Sequence, residues 1–553
     1  MRSKAAHVIS EVVLIFLLST AALAAEWKRI TDPPAAPQTM LLLTNGDVMA
    51  LTSDRGPNRG MPDRSQVWMR LSPDPNGDYG SGSWRFTAPM SVPRLFFGSN
   101  IVRDTRLIVI GGEYSGIGLQ PNWTRTGEAY DPTSDTWQAI APHPEPQFGD
   151  DPSILLDSDR ILAGSLFTRN TWVYHYPTDT WEQDPIPKVY NDRSDEETWV
   201  KLPGGRILTY DLFQSLRVPN GQFAEIFDPV ANTWLPASPT DGTAAGFIPQ
   251  LSATILGSEL GGALRQRSQK MRHRNGTEEV FFIGATGHSA IYNPARNEWR
   301  ARPDVLGEAR GVKGLFGADD APAAELPNGH IIFTADAGPI SGTFSPPTRF
   351  FIYDPESNII SQMSTPFDDH LNNIPAYETR LLVLPTGQIL YGDMEREEMW
   401  VFTADGTAPG VLRPKVDDVV LGPAGSNSYT VIGRQLNGAS SGSSYGDDVE
   451  SDENYPIVSL TARDGSVFYA TTSNWSNTDV GKKGAQTVDF TLHEGIPAKR
   501  YRLVISGAGI RSKPFCVRLT AHHLRAASDN ASISCQDNHD KNDGKDDMKI
   551  ANE

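Results

Sequence analysis

The chain has 553 residues, a formal net charge of −18 at pH 7 and a sequence pI of about 5.1. This acidic surplus disfavours nucleic acid and anionic membranes as partners, because both are polyanions. Charged residues at 21% and a mean hydropathy of −0.37 are typical of a soluble globular protein, and the length is sufficient for several domains.

Residues 1–24 have the features of a secretory signal. Arg2 and Lys4 give a basic start, residues 12–18 form a short apolar run, and Ala22-Leu23-Ala24 is a small-x-small cleavage site. A single anchoring helix is the alternative, although the run is too short to span a bilayer. We therefore expect a secreted or periplasmic protein with no membrane span after cleavage.

A hairpin signature recurs along most of the remaining chain. An aromatic residue precedes a turn of the Asp-Pro type, in which proline presets φ, and a second large residue follows seven positions after the aromatic. The pairs are Tyr130 and Trp137, Tyr174 and Trp181, Phe227 and Trp234, Tyr292 and Trp299, and Tyr353 and Ile360. Self-similarity of this kind indicates a repeat architecture.

Each repeat also has a tight turn between two short apolar segments, such as Asn45-Gly46 or Pro385-Thr386-Gly387. Four short strands at a period of about 50 residues are typical of a kelch blade. We predict an all-β fold, with a seven-bladed kelch-type β-propeller over residues 26–410. Trp27 has no inner strands before it, so the N-terminal strand is expected to complete the last blade and remove an open sheet edge.

The pattern changes after Pro409. Short alternating strands separated by Gly, Asn and Asp turns predict an immunoglobulin-like β-sandwich over residues 411–522. Residues 525–553 are polar and are expected to be a disordered tail. The two cysteines of the chain, Cys516 and Cys535, could close one loop in an oxidising compartment.

Four blades have an acidic residue at an equivalent position. Counting seven residues back from the tight turns gives Asp150, Glu196, Asp320 and Glu378. Because the innermost strands of a propeller surround its axis, these carboxylates are expected to meet at one channel mouth. The neighbouring acidic residues are Asp151, Asp195, Glu197 and Asp319.

Two chemical roles are open for this acidic ring. Carboxylates that are brought together attract a partner, either a hard cation such as Ca²⁺, which Asp150, Glu196, Asp320 and Glu378 would hold, or a cationic or polyhydroxylated ligand. Alternatively, the carboxylates only hydrogen-bond the adjoining loop backbone and are screened by water.

Two tryptophans lie next to polar candidates. Trp199 follows Glu197, and Trp475 follows Asn474 in the C-terminal region. Aromatic faces beside polar groups suit sugar binding, with core packing as the alternative. We therefore include Trp199, Asn474 and Trp475 among the candidate ligand-binding residues.

The signal segment, the seven repeats and the terminal sandwich together resemble the galactose oxidase and glyoxal oxidase family of secreted copper-radical oxidases. The resemblance implies a copper held by two tyrosines and two histidines, with one tyrosine cross-linked to a cysteine. Tyr377 and Glu378 match the family's Tyr-His pair, so one histidine is a glutamate here, and the second falls on Asn474. No cysteine precedes Cys516, and we therefore do not expect copper.

Three functions follow as hypotheses. The first is an exported protein that binds an extracellular carbohydrate, cell-surface polymer or protein ligand at the acidic mouth. The second is an enzyme at the same place, either a galactose-oxidase-like oxidoreductase relative with candidate residues Tyr377 and Glu378, or a glycan-active enzyme that uses paired carboxylates. The third is a structural or interaction scaffold.

Overall fold

The structure is a computed structural model. It describes residues 25–55, 65–157, 159–183, 186–189, 193–210, 224–237, 260–267, 278–338, 344–421, 427–445, 455–481, 484–519 and 524–526. The predicted signal at 1–24, and the predicted tail beyond Ala526, lie outside these residues.

The described chain is all-β, as predicted, and its first part consists of seven sheets that each contain four antiparallel strands in a row. We number these sheets blade 1 to blade 7 along the chain. The strands of blades 1 to 4, from the innermost outward, are Pro37–Leu42, Val48–Thr52, Trp68–Ser72 and Ser83–Phe86; Gly98–Ile101, Leu107–Ile110, Gly127–Asp131 and Thr136–Ile140; Ser153–Leu155, Arg160–Ala163, Trp172–His175 and Thr180–Gln183; and Thr198–Lys201, Ile207–Tyr210, Ala224–Asp228 and Thr233–Pro236.

The later blades follow the same order. Their strands are Leu260–Arg267, Glu278–Gly284, Ser289–Asn293 and Glu298–Arg302 in blade 5; Ala323–Glu325, Ile331–Ala337, Thr348–Asp354 and Ile359–Met363 in blade 6; and Thr379–Val383, Ile389–Asp393, Trp400–Thr403 and Glu26–Arg29 in blade 7. Arg94–Leu95, Tyr114–Ser115 and Gln120–Pro121 form a small three-stranded sheet of their own, whereas Leu306–Ala309 and Val312–Gly317 extend blade 6.

The N-terminal strand completes blade 7, which confirms the predicted ring closure. Glu26–Arg29 pairs antiparallel with Trp400–Thr403, with Trp27 opposite Phe402. The indole Nε1 of Trp84 in blade 1 then donates a hydrogen bond of 3.0 Å to the carbonyl of Thr31, just after this strand. The first and last parts of the propeller are therefore joined directly.

The recurring hairpin has the predicted register in the copies that the sequence identified. Tyr130 faces Trp137, Tyr174 faces Trp181, Phe227 faces Trp234, Tyr292 faces Trp299, and Tyr353 faces Ile360. The residue five positions after the aromatic has a left-handed backbone in each copy, with φ between 50° and 56°. That residue is always Asp or Asn, the non-glycine types that tolerate this conformation best.

The innermost strands begin at one face of the propeller and end in the tight turns at the other. We call these the front face and the back face. The C-terminal strands pack against the back face, where the hydroxyl of Thr478 donates to the Leu156 carbonyl (2.8 Å) and the Asn474 N–H donates to the Arg103 carbonyl (2.9 Å). The side chain of Tyr469 covers Gly46 so closely that a Cβ there would lie 2.6 Å from its ring.

The C-terminal region forms a curled, nine-stranded antiparallel arrangement. Its strands are Lys415–Leu421, Ser428–Arg434, Ile457–Thr461, Val467–Ser473, Ala485–Thr491, Arg500–Gly507, Ile510–Arg511, Phe515–Leu519 and Leu524–Ala526. Val467–Ser473 pairs with Ile457–Thr461 at its start and with Ala485–Thr491 at its end. The immunoglobulin-like topology stays a prediction. The strand Leu524–Ala526 overlaps the start of the tail that we expected to be disordered. Cys516 is disulfide-bonded, and Cys535 lies outside the described residues.

One strand of the C-terminal region enters the propeller. Ser443–Tyr445 pairs antiparallel with the innermost strand of blade 4, so that Tyr445 lies opposite Thr198 near the front face. Among the described residues, helical structure comprises the helix Asp368–Leu371, the 3-10 turns Tyr176–Thr178, Ala376–Glu378 and Gly410–Leu412, and the 3-10 residues 65–66. No helix in the described part of the chain has the length and apolar character needed to cross a bilayer.

Candidate functional site

A cavity of about 670 Å³ lies at the front face of the propeller. Two kinds of segment line it: the residues that lead into the innermost strands, and the loops that join the second and third strands of a blade. The lining residues are Asp54, Arg55, Leu95, Phe96, Glu113, Tyr114, Gly118, Leu119, Glu196, Asp320, Phe344 and Tyr377. Acidic and aromatic side chains therefore share one space.

The residues that lead into the innermost strands share a backbone conformation. Phe96, Asp150, Glu196 and Asp320 all have positive φ, between 51° and 61°. Asp150, Glu196 and Asp320 are three of the four positions that counting from the tight turns aligned, whereas the fourth, Glu378, ends the 3-10 turn Ala376–Glu378 and does not have a positive φ. The amide of Glu196 also donates to the carbonyl of Asp150 at 2.8 Å, so the corresponding segments of blades 3 and 4 are fixed against each other.

Three carboxylates meet at the start of blades 3 and 4. One oxygen from each of Asp150, Asp195 and Glu196 lies within 4.8 Å of the other two, so these groups could hold a metal ion. The indole Nε1 of Trp123 donates to Asp150 at 3.2 Å, and Arg193 lies 3.4 Å from Asp195. Hard cations prefer such oxygen ligands. Asp320 and Glu378 do not belong to this group, although the sequence predicted one ring.

Glu113 is a cavity residue that sequence reasoning missed. It follows the second strand of blade 2, and burial raises its pKa to about 7, with the charges of Asp195 and Asp320 acting in the same direction. A Cβ on Gly149 would lie 2.5 Å from the Glu113 backbone nitrogen. The absence of a side chain at Gly149 therefore lets the start of blade 3 approach the loop that carries Glu113.

Tyr377 and Glu378 form a connected unit with Arg55. Arg55 Nη1 lies 2.6 Å from Glu378 Oε1, and the hydroxyl of Tyr377 donates to the same oxygen at 3.2 Å. The Arg55 guanidinium also lies 5.4 Å from the centre of the Tyr377 ring, within the range of a cation–π contact. Burial raises the pKa of Glu378 even though Arg55 acts in the opposite direction.

The backbone of this unit is held from blade 6. Tyr377 and Glu378 lie in the 3-10 turn Ala376–Glu378, whose first N–H donates to Asp336 Oδ1 at 2.8 Å. The hydroxyl of Thr348 donates to the same oxygen at 2.7 Å. Burial raises the pKa of Asp336 to about 7. The position of Tyr377 in the cavity thus depends on contacts between blades 6 and 7.

Aromatic rings cover two parts of the cavity wall. Phe344 meets Tyr377 edge to face with centroids 5.0 Å apart, and Phe96 meets Tyr114 in the same way at 6.0 Å. Edge-to-face pairs are a favoured arrangement of aromatic rings. Phe344 and Tyr114 come from loops between second and third strands, so the rings are contributed by blades 2, 6 and 7.

The structure places several predicted residues away from the cavity. Trp199 is fully buried between blade strands, where its Nε1 donates to Glu197 at 3.0 Å. Glu197 is itself buried in an ion pair with Lys188. Asp151 and Asp319 are buried beside the cavity residues but do not line the cavity. Trp199 is thus a core residue and cannot be a platform for a sugar.

The prediction that Asn474 and Trp475 reach the acidic mouth is wrong. Asn474 contacts Arg103 at the back face, at the far end of the innermost strand, and its side chain donates to Asp489 at 3.1 Å. Trp475 is 1% exposed and stacks on Tyr455 in the core of the C-terminal region. The C-terminal region reaches the channel through Ser443–Tyr445 instead.

The cavity residues that were not predicted from the sequence lie mainly in loops. Asp54, Arg55, Glu113, Tyr114 and Phe344 all follow a second strand, and such a strand runs back to the front face. The signal available in the sequence is length, because the connections from Thr52 to Trp68 and from Ile110 to Gly127 are longer than a tight turn.

The residues present do not fit the copper centre that the family resemblance implies. Tyr377 is in place, but the neighbouring histidine position is Glu378, whose carboxylate is already bound to the cationic side chain of Arg55. Asn474, matched to the second histidine, lies on the opposite face. Copper prefers imidazole ligands, and here both imidazoles are replaced by oxygen-bearing side chains. The guanidinium of Arg55 adds a positive charge beside one of them, so the site is a poor one for copper.

Comparison with known proteins gives one family match. A model of the kelch motif matches residues 98–144, which contain blade 2 and the Tyr130–Trp137 hairpin. The chain therefore contains a kelch motif, and the four-stranded sheets described above are those of a β-propeller. No curated protein matches it.

Two solved structures are similar to this chain. One is a fungal alcohol oxidase of the AA5 family in complex with copper, with 14% identity and a TM-score of 0.48 over 90% of this chain and 100% of that chain. The other is the extracellular domain of a proposed hybrid two-component system from B. thetaiotaomicron, with 10% identity and a TM-score of 0.42 over 90% of this chain and 59% of that chain.

Proposed function

We propose that this protein is exported and binds an extracellular carbohydrate in the front-face cavity. The observation that carries the proposal is the composition of the cavity wall, in which carboxylates and paired aromatic rings enclose about 670 Å³. Ligand pockets in proteins usually measure about 300–1,000 Å³. The volume therefore suits a small saccharide or one residue of a polymer.

The chemistry of a sugar matches both kinds of side chain. Sugar hydroxyls donate to carboxylates such as Glu196 and Asp320 and accept from a guanidinium such as Arg55. The C–H face of the ring packs on aromatic side chains, for which Tyr114 and Phe344 are available. A calcium ion at Asp150, Asp195 and Glu196 would add a further contact for hydroxyl oxygens.

A glycan array probed with the full-length mature protein tests the proposal, followed by calorimetry on the best binder. Glu196→Gln and Phe344→Ala should each weaken binding about tenfold or more, since each removes a wall contact. Glu182→Gln, on an outer strand of blade 3, serves as the matched control and should bind like wild type. Absence of any glycan binding, or equal affinity in all variants, would contradict the proposal.

A carboxylate-driven reaction on a glycan is the second candidate, and Glu113 favours it. Burial raises its pKa to about 7, so Glu113 can gain and lose a proton near neutral pH, as the general acid that acts on a glycosidic bond must. Release of reducing ends from the bound glycan by wild type, and its loss in Glu113→Gln, would support catalysis. Binding without turnover would contradict catalysis and support carbohydrate binding as the function.

A further inference from the structure

Arg55 is the group through which the Tyr377–Glu378 unit meets the cavity. Its side chain is 31% exposed, whereas that of Glu378 is 6% exposed, and Arg55 and Tyr377 line the cavity while Glu378 does not. Nη1 of Arg55 binds Glu378. A guanidinium has five N–H donors in a fixed plane, so donors are left for a ligand.

Glu378 and Tyr377 hold the guanidinium in one orientation. The Glu378 carboxylate binds Nη1 at 2.6 Å, and the guanidinium carbon lies over the ring of Tyr377, 5.4 Å from its centre. Because these partners are themselves fixed by the turn Ala376–Glu378 and by Asp336, the direction of the remaining donors is set before a ligand arrives. Such preorganisation lowers the entropic cost of binding.

The surrounding charges restrict which acceptor can meet these donors. The charge of Arg55 is stabilised by the carboxylates of Glu378, Asp54 and Glu395. The same cavity is lined by three further acidic residues, Glu113, Glu196 and Asp320. An anionic group would approach several carboxylates to reach one guanidinium, and like charges repel in such a space. A neutral hydroxyl oxygen accepts from Arg55 without that repulsion and can donate its own proton to a nearby carboxylate.

We infer that Arg55 is the specificity-determining residue of the cavity and that it donates to one neutral hydroxyl oxygen of the bound sugar. The inference rests on the proposed function, since it names one contact of the same ligand. Glu378, which does not line the cavity, then acts as a positioning residue that holds the guanidinium.

The contact between Arg55 and the sugar hydroxyl is tested by measuring each ligand variant against each protein variant. The probes are the methyl glycoside of the sugar that binds best on the array and its set of monodeoxy derivatives, each measured by calorimetry against wild type and Arg55→Met. One deoxy derivative should bind wild type about tenfold or more weakly, because a hydrogen bond to a charged donor is lost. The same derivative should bind Arg55→Met with less than a twofold difference from the parent glycoside.

Two control variants accompany these measurements. Arg55→Lys retains the charge but not the planar fork, and it should fold like wild type while showing a reduced effect of the critical deoxygenation. Arg300→Met, on an outer strand of blade 5 beside Glu298, should reproduce the wild-type pattern. Equal deoxy effects in wild type and Arg55→Met would overturn the role of Arg55 while leaving carbohydrate binding intact. Failure of wild type to bind any glycoside would overturn both.

Discussion

The indole Nε1 of Trp137 donates a hydrogen bond of 2.8 Å to the carbonyl of Ala88, 49 residues earlier and one blade away. The same contact recurs from Trp181 to the carbonyl of Ala141 (2.9 Å) and from Trp299 to that of Ala237 (3.1 Å). The conserved geometry of the hairpin within this chain therefore serves two purposes. It shapes each outer strand, and it ties that strand to the blade before it.

Trp137→Phe should destabilise the propeller by about 1–2 kcal/mol, because it removes this hydrogen bond and part of an indole that packs on Tyr130. Urea unfolding followed by tryptophan fluorescence measures the loss. Trp400→Phe is the matched control, since the Nε1 of Trp400 has no hydrogen-bond partner in the part of the chain that the structure describes. An equal loss in both variants would show that ring packing, rather than the indole hydrogen bond, is responsible.

Asp135 should matter more than its position in an exposed hairpin suggests. One oxygen, Oδ1, accepts from the Tyr130 hydroxyl at 2.7 Å and from the Ala88 backbone N–H at 3.0 Å, while the residue has a φ of 54°. Asp135→Ala removes both hydrogen bonds and places alanine in a left-handed conformation, so we expect a loss of about 2–3 kcal/mol in unfolding free energy. Asp135→Asn keeps one acceptor oxygen and tolerates that conformation, and it should lose clearly less.

The sequence was sufficient for the repeats because their signal is local. The spacing from Tyr130 to Trp137 follows from one turn and two short strands, so the cross-strand pairs could be predicted residue by residue. The closing strand Glu26–Arg29 was also predictable, since the sequence around Trp27 is similar to that of the other outer strands and an unpaired sheet edge is unfavourable.

The site could be predicted only in part. Glu196 and Asp320 were found by register, because they precede the innermost strands. Arg55 and Glu113 could not be found in this way, since they lie in loops that have no repeat to count from. Asn474 was misplaced for a related reason: sequence order does not show which face of the propeller the C-terminal region covers, and only its contact with Arg103 does.

His143 should make the protein sensitive to acid. It is fully buried against Phe148, Trp172 and Trp181, and burial together with the nearby charge of Arg125 lowers its pKa to about 3. The unfolded chain binds a proton near pH 6.5, whereas the folded chain does not until about pH 3. Stability is therefore lost as pH falls through this window, by about 1.4 kcal/mol for each pH unit.

Urea unfolding at several pH values between about 3.5 and 7.5 measures this effect in wild type and His143→Phe. The difference between the two proteins isolates His143 from the acidic groups, such as Glu113 and Asp336, which titrate in the same range with the opposite sign. The stability of His143→Phe relative to wild type should rise steadily as the pH is lowered. A difference that does not change with pH would show that the imidazole is not held neutral by burial.

Calcium should raise the melting temperature if the group formed by Asp150, Asp195 and Glu196 binds it, because a ligand that binds only the folded state stabilises that state. The shift is expected in wild type and should disappear when all three residues are replaced by their amides. Glu378→Gln should keep the shift, since its carboxylate is bound to Arg55 and not grouped with the other three. Asp464→Asn, which alters an acidic residue paired with Lys499 in the C-terminal region, controls for a general effect of charge. A melting temperature that is the same with calcium and with chelator in wild type would exclude a calcium site that stabilises the fold.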